Sequence, residues 1–162
     1  MTSGRMNMRS HAGWFSGASM LYTLDHVAQL LDVASEDVAG VVRPIVAPLV
    51  QSHYYHYVAK PPAGAEGDGG GERRPIHVLL FRTPDDALFF AKQVRIPETP
   101  RVRPIGAEAV LLHMLAEPRV LRVIFLEQHL EEVPRGLTRQ TLGELPGAYV
   151  VERAATLGKL LI

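Results

Sequence analysis

The 162-residue chain has no cysteine and no excess of charge, with 17 lysines and arginines against 17 aspartates and glutamates. The lack of cysteine excludes a disulfide-framed secreted module, a thiolate zinc finger and a thiol enzyme. With a net charge of zero, the chain lacks the excess of positive charge that nucleic-acid-binding proteins usually show. Because no apolar run is long enough to cross a bilayer, we expect a cytoplasmic protein without membrane contact.

Apolar residues make up 47% of the chain, which is enough for one compact core without a disulfide or a metal. The charge is balanced along most of the chain rather than between a basic end and an acidic end. Residues 1–24 carry two arginines and no acid, residues 25–59 carry four acids against Arg43, and residues 76–162 hold eleven bases and ten acids. The most acidic stretch therefore lies in the amino-terminal third.

Composition divides the chain into three parts. Residues 1–20 are rich in serine and free of acids, which is typical of an organelle transit peptide or of a flexible leader upstream of a start at Met20. Residues 21–50 are expected to form a helical unit, and residues 51–162 an α/β domain. Within that domain, residues 60–75 concentrate glycine and proline with alternating charges, which predicts a mobile loop.

Two amphipathic helices are predicted in residues 21–50, because apolar residues recur there at intervals of three and four. Thr23 is expected to cap the first helix and Ser35 the second, which has an acidic first turn. Pro44 limits or kinks the second helix. The apolar positions are Leu24, Val27, Ala28, Leu31, Val38, Val41, Val42, Ile45 and Leu49.

The first helix and the turn after it read Tyr-Thr-Leu-Asp-His-Val-Ala-Gln-Leu-Leu-Asp-Val from Tyr22 to Val33. This pattern resembles the helix-turn-helix of the MerR or excisionase type, whose first unit commonly reads Tyr-Thr-x-x-x-Val-Ala-x-Leu-Leu-x-Val. Ala28 allows close helix contact, Val38 is the expected buried residue of the second helix, and Asp32 stands where the family has a turn glycine. The resemblance implies a helix-turn-helix shape, with DNA binding as its activity.

The start of the second helix argues against DNA binding. A recognition helix contacts phosphates and base edges with Arg, Lys, Asn or Gln near its amino end. This helix instead begins with Ser35, Glu36 and Asp37, and Arg43 is its single base. Carboxylates that face a phosphate backbone repel it. Ser35, Glu36 and Arg43 are therefore candidate contacts for a protein partner, with DNA as the alternative.

Residues 50–58 are rich in tyrosine and histidine and predict a strand, because aromatic and β-branched residues favour extended backbone. On a strand Tyr54 and His56 share one face and His53 lies on the other, so the two histidines diverge and form no metal pair. The tyrosines could stack on nucleic-acid bases, although a half-buried strand is the expected role. With a second strand at 76–82, this segment could form a β-hairpin wing behind the helical unit.

The elements after residue 75 predict a mixed α/β fold, a mixed sheet covered by helices, because strand–helix–strand units with short connections imply crossovers. Thr83 is expected to cap the helix after the first of these strands, which should bury Leu88, Phe89 and Ala91 or their neighbours. The predicted strands are 76–81, 102–105, 120–126 and 148–151, and the predicted helices are 85–94, 107–116, 127–132 and a short one near 138–142.

The pattern Phe-x-Thr-Pro-Asp-Asp-Ala-Leu-Phe-Phe-Ala from Phe81 to Ala91 is followed by a predicted strand–helix–strand. Over residues 76–126 this arrangement is similar to the domain family of enhancers of type III secretion. The similarity implies a non-catalytic domain that contacts other proteins, and it assigns no functional residue.

The sequence contains no catalytic, metal-binding or cofactor-binding constellation. Asp85 and Asp86 could serve as a carboxylate pair at a strand end, where α/β sites often lie. Adjacent acids in a first helical turn are more typical of a capping role. His77 and His113 are expected to be packed, and His129 to be solvated.

Arg101 and Arg103 share one face of a short strand and form a small basic patch, a candidate contact for a partner or for DNA. Arginines on an edge strand also discourage strand addition. Together these features predict a non-enzymatic protein that works through contact with a protein partner or a second copy of itself. The alternative is a DNA-binding regulator whose α/β half dimerises or senses a signal, and a hydrolase or transferase at the carboxyl edge of the sheet is a third hypothesis.

Overall fold

A computed structural model describes residues 15–16, 22–59, 75–96 and 99–161. The leader and the mobile loop predicted from composition lie almost entirely outside these ranges. The described elements are β1 (Phe15–Ser16), α1 (Leu24–Leu31), α2 (Ser35–Val46), β2 (His53–Ala59), β3 (Ile76–Phe81), α3 (Pro84–Gln93), β4 (Arg101–Gly106), α4 (Ala107–Ala116), β5 (Val120–Leu126), a 3-10 helix (Leu142–Glu144), β6 (Ala148–Glu152) and α5 (Arg153–Leu160).

The described strands form one mixed sheet, which confirms the predicted fold class. β2 is antiparallel to both β3 and β4, β3 is parallel to β5, and β6 is antiparallel to β5. β4 pairs along one edge of β2, and β3 and the two-residue β1 pair with β2 as well. The main order of strands is therefore β4–β2–β3–β5–β6.

Helices cover the sheet on both faces because successive crossovers pass on opposite sides. α1, α2, α4 and α5 cover one face, which we call the four-helix face, and α3 and the segment after β5 cover the other, the α3 face. Alternate residues of each strand are buried on each side. The sheet contributes Tyr54, Val78, Leu80, Val123, Phe125 and Val151 to the first core and Tyr57, Leu79, Phe81, Ile124 and Leu126 to the second.

The two amino-terminal helices form where the apolar periodicity predicts them. Thr23 caps α1, because its Oγ1 accepts a hydrogen bond from the backbone N–H of His26 at 3.1 Å. Asp32 ends α1 in the left-handed conformation, with φ of 59°, which an aspartate tolerates better than most residues. The predicted cap at Ser35 is wrong: Ala34 takes the extended cap position and Ser35 is the first helical residue.

α2 packs into the core of the four-helix face and does not form a separate DNA-binding unit. Val38, Val42 and Ile45 are buried in the same apolar cluster as residues of α4 and the sheet. The Tyr149 hydroxyl of β6 also donates to the Ile45 carbonyl at 2.7 Å, near the end of α2. The helical unit and the α/β part therefore share one core.

β2 and β3 do not form the projecting β-hairpin wing that the sequence suggests. β2 and β3 are antiparallel neighbours, as a hairpin requires, but both are interior strands, since β4 flanks β2 and β5 flanks β3. Tyr54 and Tyr57 are buried on opposite faces of the sheet, which confirms the predicted alternation. Side chains that are buried on both faces favour an inner strand over a projecting wing.

Three other differences lie in the carboxy-terminal half. Residues 127–132 form no helix, because Leu130 and Leu137 pack along the α3 face in an irregular path. The short helix predicted near 138–142 is the 3-10 helix at Leu142–Glu144. α3 buries Ala91, as predicted, and Phe90, a neighbour of the predicted Phe89, whereas Leu88 is 39% exposed.

α5 is absent from the predicted elements because its sequence carries no strong local signal. Its cap residue, Glu152, makes no side-chain hydrogen bond to the helix. The Arg153 side chain instead donates to the carbonyls of Met114 and Leu115 at 2.8 and 3.0 Å, which satisfies the end of α4. No helix of the described ranges has the length and apolar character needed to span a membrane.

The two-sided core makes a direct prediction for β5. Phe125 is fully buried and its ring lies 5.0 Å from that of Tyr54, so Phe125→Ala is expected to lower the free energy of unfolding by about 3–5 kcal/mol. The control is Leu121→Ala on the same strand, where the side chain is 46% exposed and a change within about 0.5 kcal/mol is expected. Urea denaturation measures both, and equal losses would contradict the assignment of the core.

Candidate functional site

The predicted contact residues of α2 lie at the end where α1 and α2 begin. The Ser35 hydroxyl donates to Asp25 Oδ1 at 2.5 Å, which holds the first turns of the two helices together. Glu36 and Asp37 are exposed beside them, and we call these four residues the acidic end. Arg43 is exposed two turns further along α2, roughly 10 Å away at 1.5 Å per residue. The carboxylates also stabilise the positive amino-terminal ends of both helices electrostatically.

The predicted arginine pair lies on β4, which pairs with β2 alone among the described strands. Val102 packs toward the α3 face, so Arg101 and Arg103 lie on the four-helix face, exposed and on one side as predicted. Pro104 lacks an N–H, and with the arginines it makes β4 a poor template for another strand. No hydrogen bond or ion pair within the described ranges joins these arginines to the acidic end.

His56 lies opposite Arg103 on β2 and is buried beneath α4. Its Nδ1–H donates to the Tyr57 carbonyl at 3.0 Å. Burial lowers the pKa of His56 to about 4, and the nearby charges of His113 and Arg103 act in the same direction. Burial also lowers the pKa of His113, whose ring lies 5.7 Å from that of Tyr22. Both histidines are packed and neutral at pH 7, as expected for His113.

The burial of His56 predicts an acid-sensitive fold. In the unfolded chain its pKa returns to the ordinary histidine value of 6.5, so the unfolded state binds more protons between that value and about 4. The free energy of unfolding is therefore expected to fall as the pH is lowered through this window, by up to about 3 kcal/mol from this residue. His56→Gln should flatten that decline, as measured by urea denaturation across the pH range.

His53→Gln is the matched control, because it removes an exposed histidine from the same strand and should leave the decline in place. If both variants showed the same pH dependence as the parent protein, the acid sensitivity would have another source.

A cluster of polar side chains lies where the parallel strands β3 and β5 end. The strands are paired through their last residues, so Arg82 and Glu127 leave the sheet side by side. His129 Nδ1 lies 2.6 Å from Asp86 Oδ1 in the first turn of α3, and Arg82 Nε is 4.0 Å from Asp86 Oδ2. We call this cluster the carboxyl-edge site, because α/β proteins commonly bind ligands at that edge of a sheet.

Asp86 and His129 form a pair that sequence reasoning missed. The His129 side chain is 54% exposed and that of Asp86 12%, so the solvation predicted for His129 is correct and the carboxylate partner is new. Asp85 is exposed and takes no part in this contact, and both acids lie in the first turn of α3, where the favoured capping role places them. With Nδ1 held by a carboxylate, the Nε2 atom of the exposed ring can form a hydrogen bond with a bound molecule.

Among the described residues, the contacts of the His129 ring are with Asp86 and Phe89. None of the described hydroxyls is hydrogen-bonded to its imidazole, and no group of three or more His, Asp or Glu side chains within the described ranges is placed to hold a metal ion. The pair can orient a polar group of a ligand, whereas covalent catalysis needs a nucleophile beside the base.

Tyr54 connects the strands at this edge from the four-helix face. Its hydroxyl donates to Glu127 Oε2 at 2.6 Å and accepts from the Gln51 N–H at 3.4 Å. Burial raises the pKa of Tyr54, and the Glu127 carboxylate reinforces that effect, so the phenol stays protonated and keeps donating. The Gln51 amide also donates to the Arg82 carbonyl at 2.9 Å. The start of β2 is thereby fastened to the ends of β3 and β5.

Two buried polar atoms within the described ranges have no hydrogen-bond partner, Arg82 Nε and Glu127 Oε1, and both belong to this edge. Buried polar groups are normally satisfied by protein or ordered water, so these two side-chain atoms set the carboxyl-edge site apart from the rest of the described chain. The signal in the sequence is a charged residue directly after the last apolar residue of each strand.

The Tyr54–Glu127 contact is expected to stabilise the edge measurably. Tyr54→Phe removes the one protein donor that Glu127 has among the described residues and leaves a half-buried carboxylate, which costs about 1–3 kcal/mol. Tyr55→Phe, a hydroxyl deletion on the neighbouring half-buried residue, is the control and should be nearly neutral. Urea denaturation at neutral pH measures both, and equal losses would show that the contact is not special.

Comparison with known proteins adds no assignment. No protein-family model, no curated protein and no solved structure gives a significant match to the chain.

Proposed function

We propose that this chain is a non-enzymatic protein that works by contact with partner proteins through the acidic end of α1 and α2. One observation carries the proposal: the hydrogen bond between Ser35 and Asp25 gathers the exposed carboxylates of two helix starts at one place. The proposed partner is a protein surface that presents lysine or arginine side chains.

Charge and apolar exposure at this surface support a protein partner. Asp25, Asp32, Glu36 and Asp37 are all exposed, whereas Arg43 is the single base between residues 22 and 59. On α1 the Leu30 side chain is 53% exposed. An exposed leucine on a helix that also carries exposed carboxylates fits a protein contact, in which charge steers the encounter and apolar area is buried.

The second candidate function is DNA binding. Two helices joined by a tight turn with a left-handed residue at Asp32 favour it, as does the resemblance to the MerR type. The acidic end weighs against it, because the start of α2 would bring Glu36 and Asp37 against phosphates. Arg101 and Arg103 offer too few phosphate contacts for a monomer to bind DNA strongly.

Fluorescence anisotropy with two labelled probes separates these functions. The first probe is a synthetic peptide of alternating lysine and serine, and the second is a random-sequence DNA duplex. At low salt we expect the protein to bind the peptide and not the duplex. Glu36→Lys combined with Asp37→Lys should abolish peptide binding, because it reverses the sign of the surface.

The matched control is Glu131→Lys combined with Glu132→Lys, which makes the same change of net charge at exposed positions after β5. This variant should keep peptide binding. If both double variants lost peptide binding equally, the net charge of the protein would explain the loss, and the proposed surface would be wrong. If the protein bound the duplex and Arg43→Ala abolished that binding, the DNA-binding function would be favoured. If the protein turned over a small-molecule substrate and Asp86→Asn abolished that activity, the proposed non-enzymatic role would be overturned.

A further inference from the structure

β6 (Ala148–Glu152) is the last strand on its side of the sheet. It pairs with β5, and no other strand within the described ranges pairs with its second side, which we call the β6 edge. The opposite edge of the sheet, on β4, carries Arg101, Arg103 and Pro104, which discourage the addition of another strand. β6 reads Ala-Tyr-Val-Val-Glu and has no lysine, arginine or proline. The β6 edge therefore lacks the residues that protect β4.

The hydrogen-bonding register shows which backbone groups of β6 point away from β5. The Glu127 N–H donates to the Gly147 carbonyl at 2.9 Å, and bonded positions alternate along an antiparallel pair. The odd-numbered residues of β6 therefore bond to β5. The even-numbered residues direct their backbone N–H and C=O groups to the β6 edge, and these residues are Ala148, Val150 and Glu152.

Two of the backbone groups at the β6 edge are satisfied within the chain. The Ala148 N–H donates to the Leu145 carbonyl at 3.1 Å, and the Glu152 carbonyl accepts from the Thr156 hydroxyl at 2.7 Å. The groups without a partner among the described residues are the Ala148 C=O, the Val150 N–H and C=O, and the Glu152 N–H. Such groups are hydrogen-bonded either by water or by a further strand.

The unpartnered groups complement those of a second copy when two β6 edges are antiparallel about a twofold axis at Val150. The two Val150 residues then exchange both of their hydrogen bonds, and each Glu152 N–H donates to the Ala148 carbonyl of the other copy. This register sets the Ala148 N–H opposite the Glu152 carbonyl, and each chain already satisfies both groups internally. A strand from another protein would have its own groups left unpaired at those positions.

The side chains of β6 are compatible with the same register. Val150 lies opposite Val150 of the second copy, and Tyr149 lies opposite Val151, so these cross-strand pairs are apolar. Glu152 lies opposite Ala148, which keeps the two glutamates four positions apart, roughly 14 Å at 3.4 Å per residue. Because like charges destabilise a sheet when they stand directly opposite each other, this spacing favours the antiparallel pairing.

We propose that the β6 edge binds a second copy of this chain, in an antiparallel pairing that joins two sheets across a twofold axis. A contact made by one short strand predicts a reversible dimer whose population depends on concentration. Tyr149 of this strand bonds to Ile45, ten residues and about 15 Å along α2 from Ser35 of the acidic end. The dimer contact is therefore separate from the proposed partner surface, and peptide binding there is measured independently.

Sedimentation velocity of the full chain, from micromolar to millimolar protein, measures the association. We expect a reversible shift from monomer to dimer. Val150→Pro removes an N–H that does not bond to β5, and it should weaken the dimer by about tenfold or more, since two of the four hydrogen bonds are lost. Val150→Thr is the matched control, because it keeps the N–H and the β-branched side chain, and it should dimerise as the parent protein does. Circular dichroism checks that both variants fold.

A parent protein that stays monomeric over this range would overturn the proposal, as would a dimer that the folded Val150→Pro variant retains at full strength.

Amide hydrogen exchange of the parent protein tests the register without any substitution. The amides of Tyr149 and Val151 should be protected at every concentration, because they bond to β5. Those of Val150 and Glu152 should exchange rapidly in the monomer and slow by about tenfold or more as the dimer forms. A dimer in which the Val150 amide stays unprotected would place the contact on another surface and overturn the proposal.

Discussion

Burial of the sheet on both faces is the constraint on which the rest of the molecule depends. Each interior strand must be apolar on two sides, so β3 and β5 are almost continuous runs of valine, leucine, isoleucine and phenylalanine. Polar and charged groups are then displaced to strand ends and to the outer strand β4. The carboxyl-edge site, the His77–Arg122 contact and the arginines of β4 all occupy such positions. The location of every candidate site in the sheet follows from how its core is packed.

His56 is the exception that clarifies this rule. It is buried within an interior strand, and it is accommodated because it stays neutral and donates to a backbone carbonyl. Arg122 follows the same logic, since its neighbour His77 is neutral and accepts a hydrogen bond from it. A buried basic group costs little only when one partner gives up its charge or when an opposite charge is added.

Elements with strong local signals could be predicted from the sequence with accurate limits. Thr83 and Pro84 mark the start of α3, and Gly106 marks the start of α4, because caps, proline and glycine act on backbone geometry directly. Elements without such signals could not be predicted. The Arg153 side chain joins the start of α5 to the end of α4, and residues 127–132 follow an irregular path that places Leu130 in the core.

The candidate sites likewise divide into those that local sequence signals predict and those that they do not. Exposure and charge at Glu36 and at Arg103 could be predicted, since they depend on helix and strand periodicity. The Asp86–His129 contact spans 43 positions and depends on the register between β3 and β5. The meeting of His77 with Arg122 also depends on that register, which shifts at the start of the pair. A single sequence contains no local measure of register, so both clusters required the structure.

The hydrogen bond from Tyr149 to Ile45 joins residues 104 positions apart, and it has a consequence for how the chain folds. α2 is made early in synthesis, but its second half is completed by a strand that is made near the end. Until β6 joins β5, the apolar side of α2 lacks part of its cover, and closing so long a loop is slow. The first helices therefore reach their final packing only after β6 has joined β5.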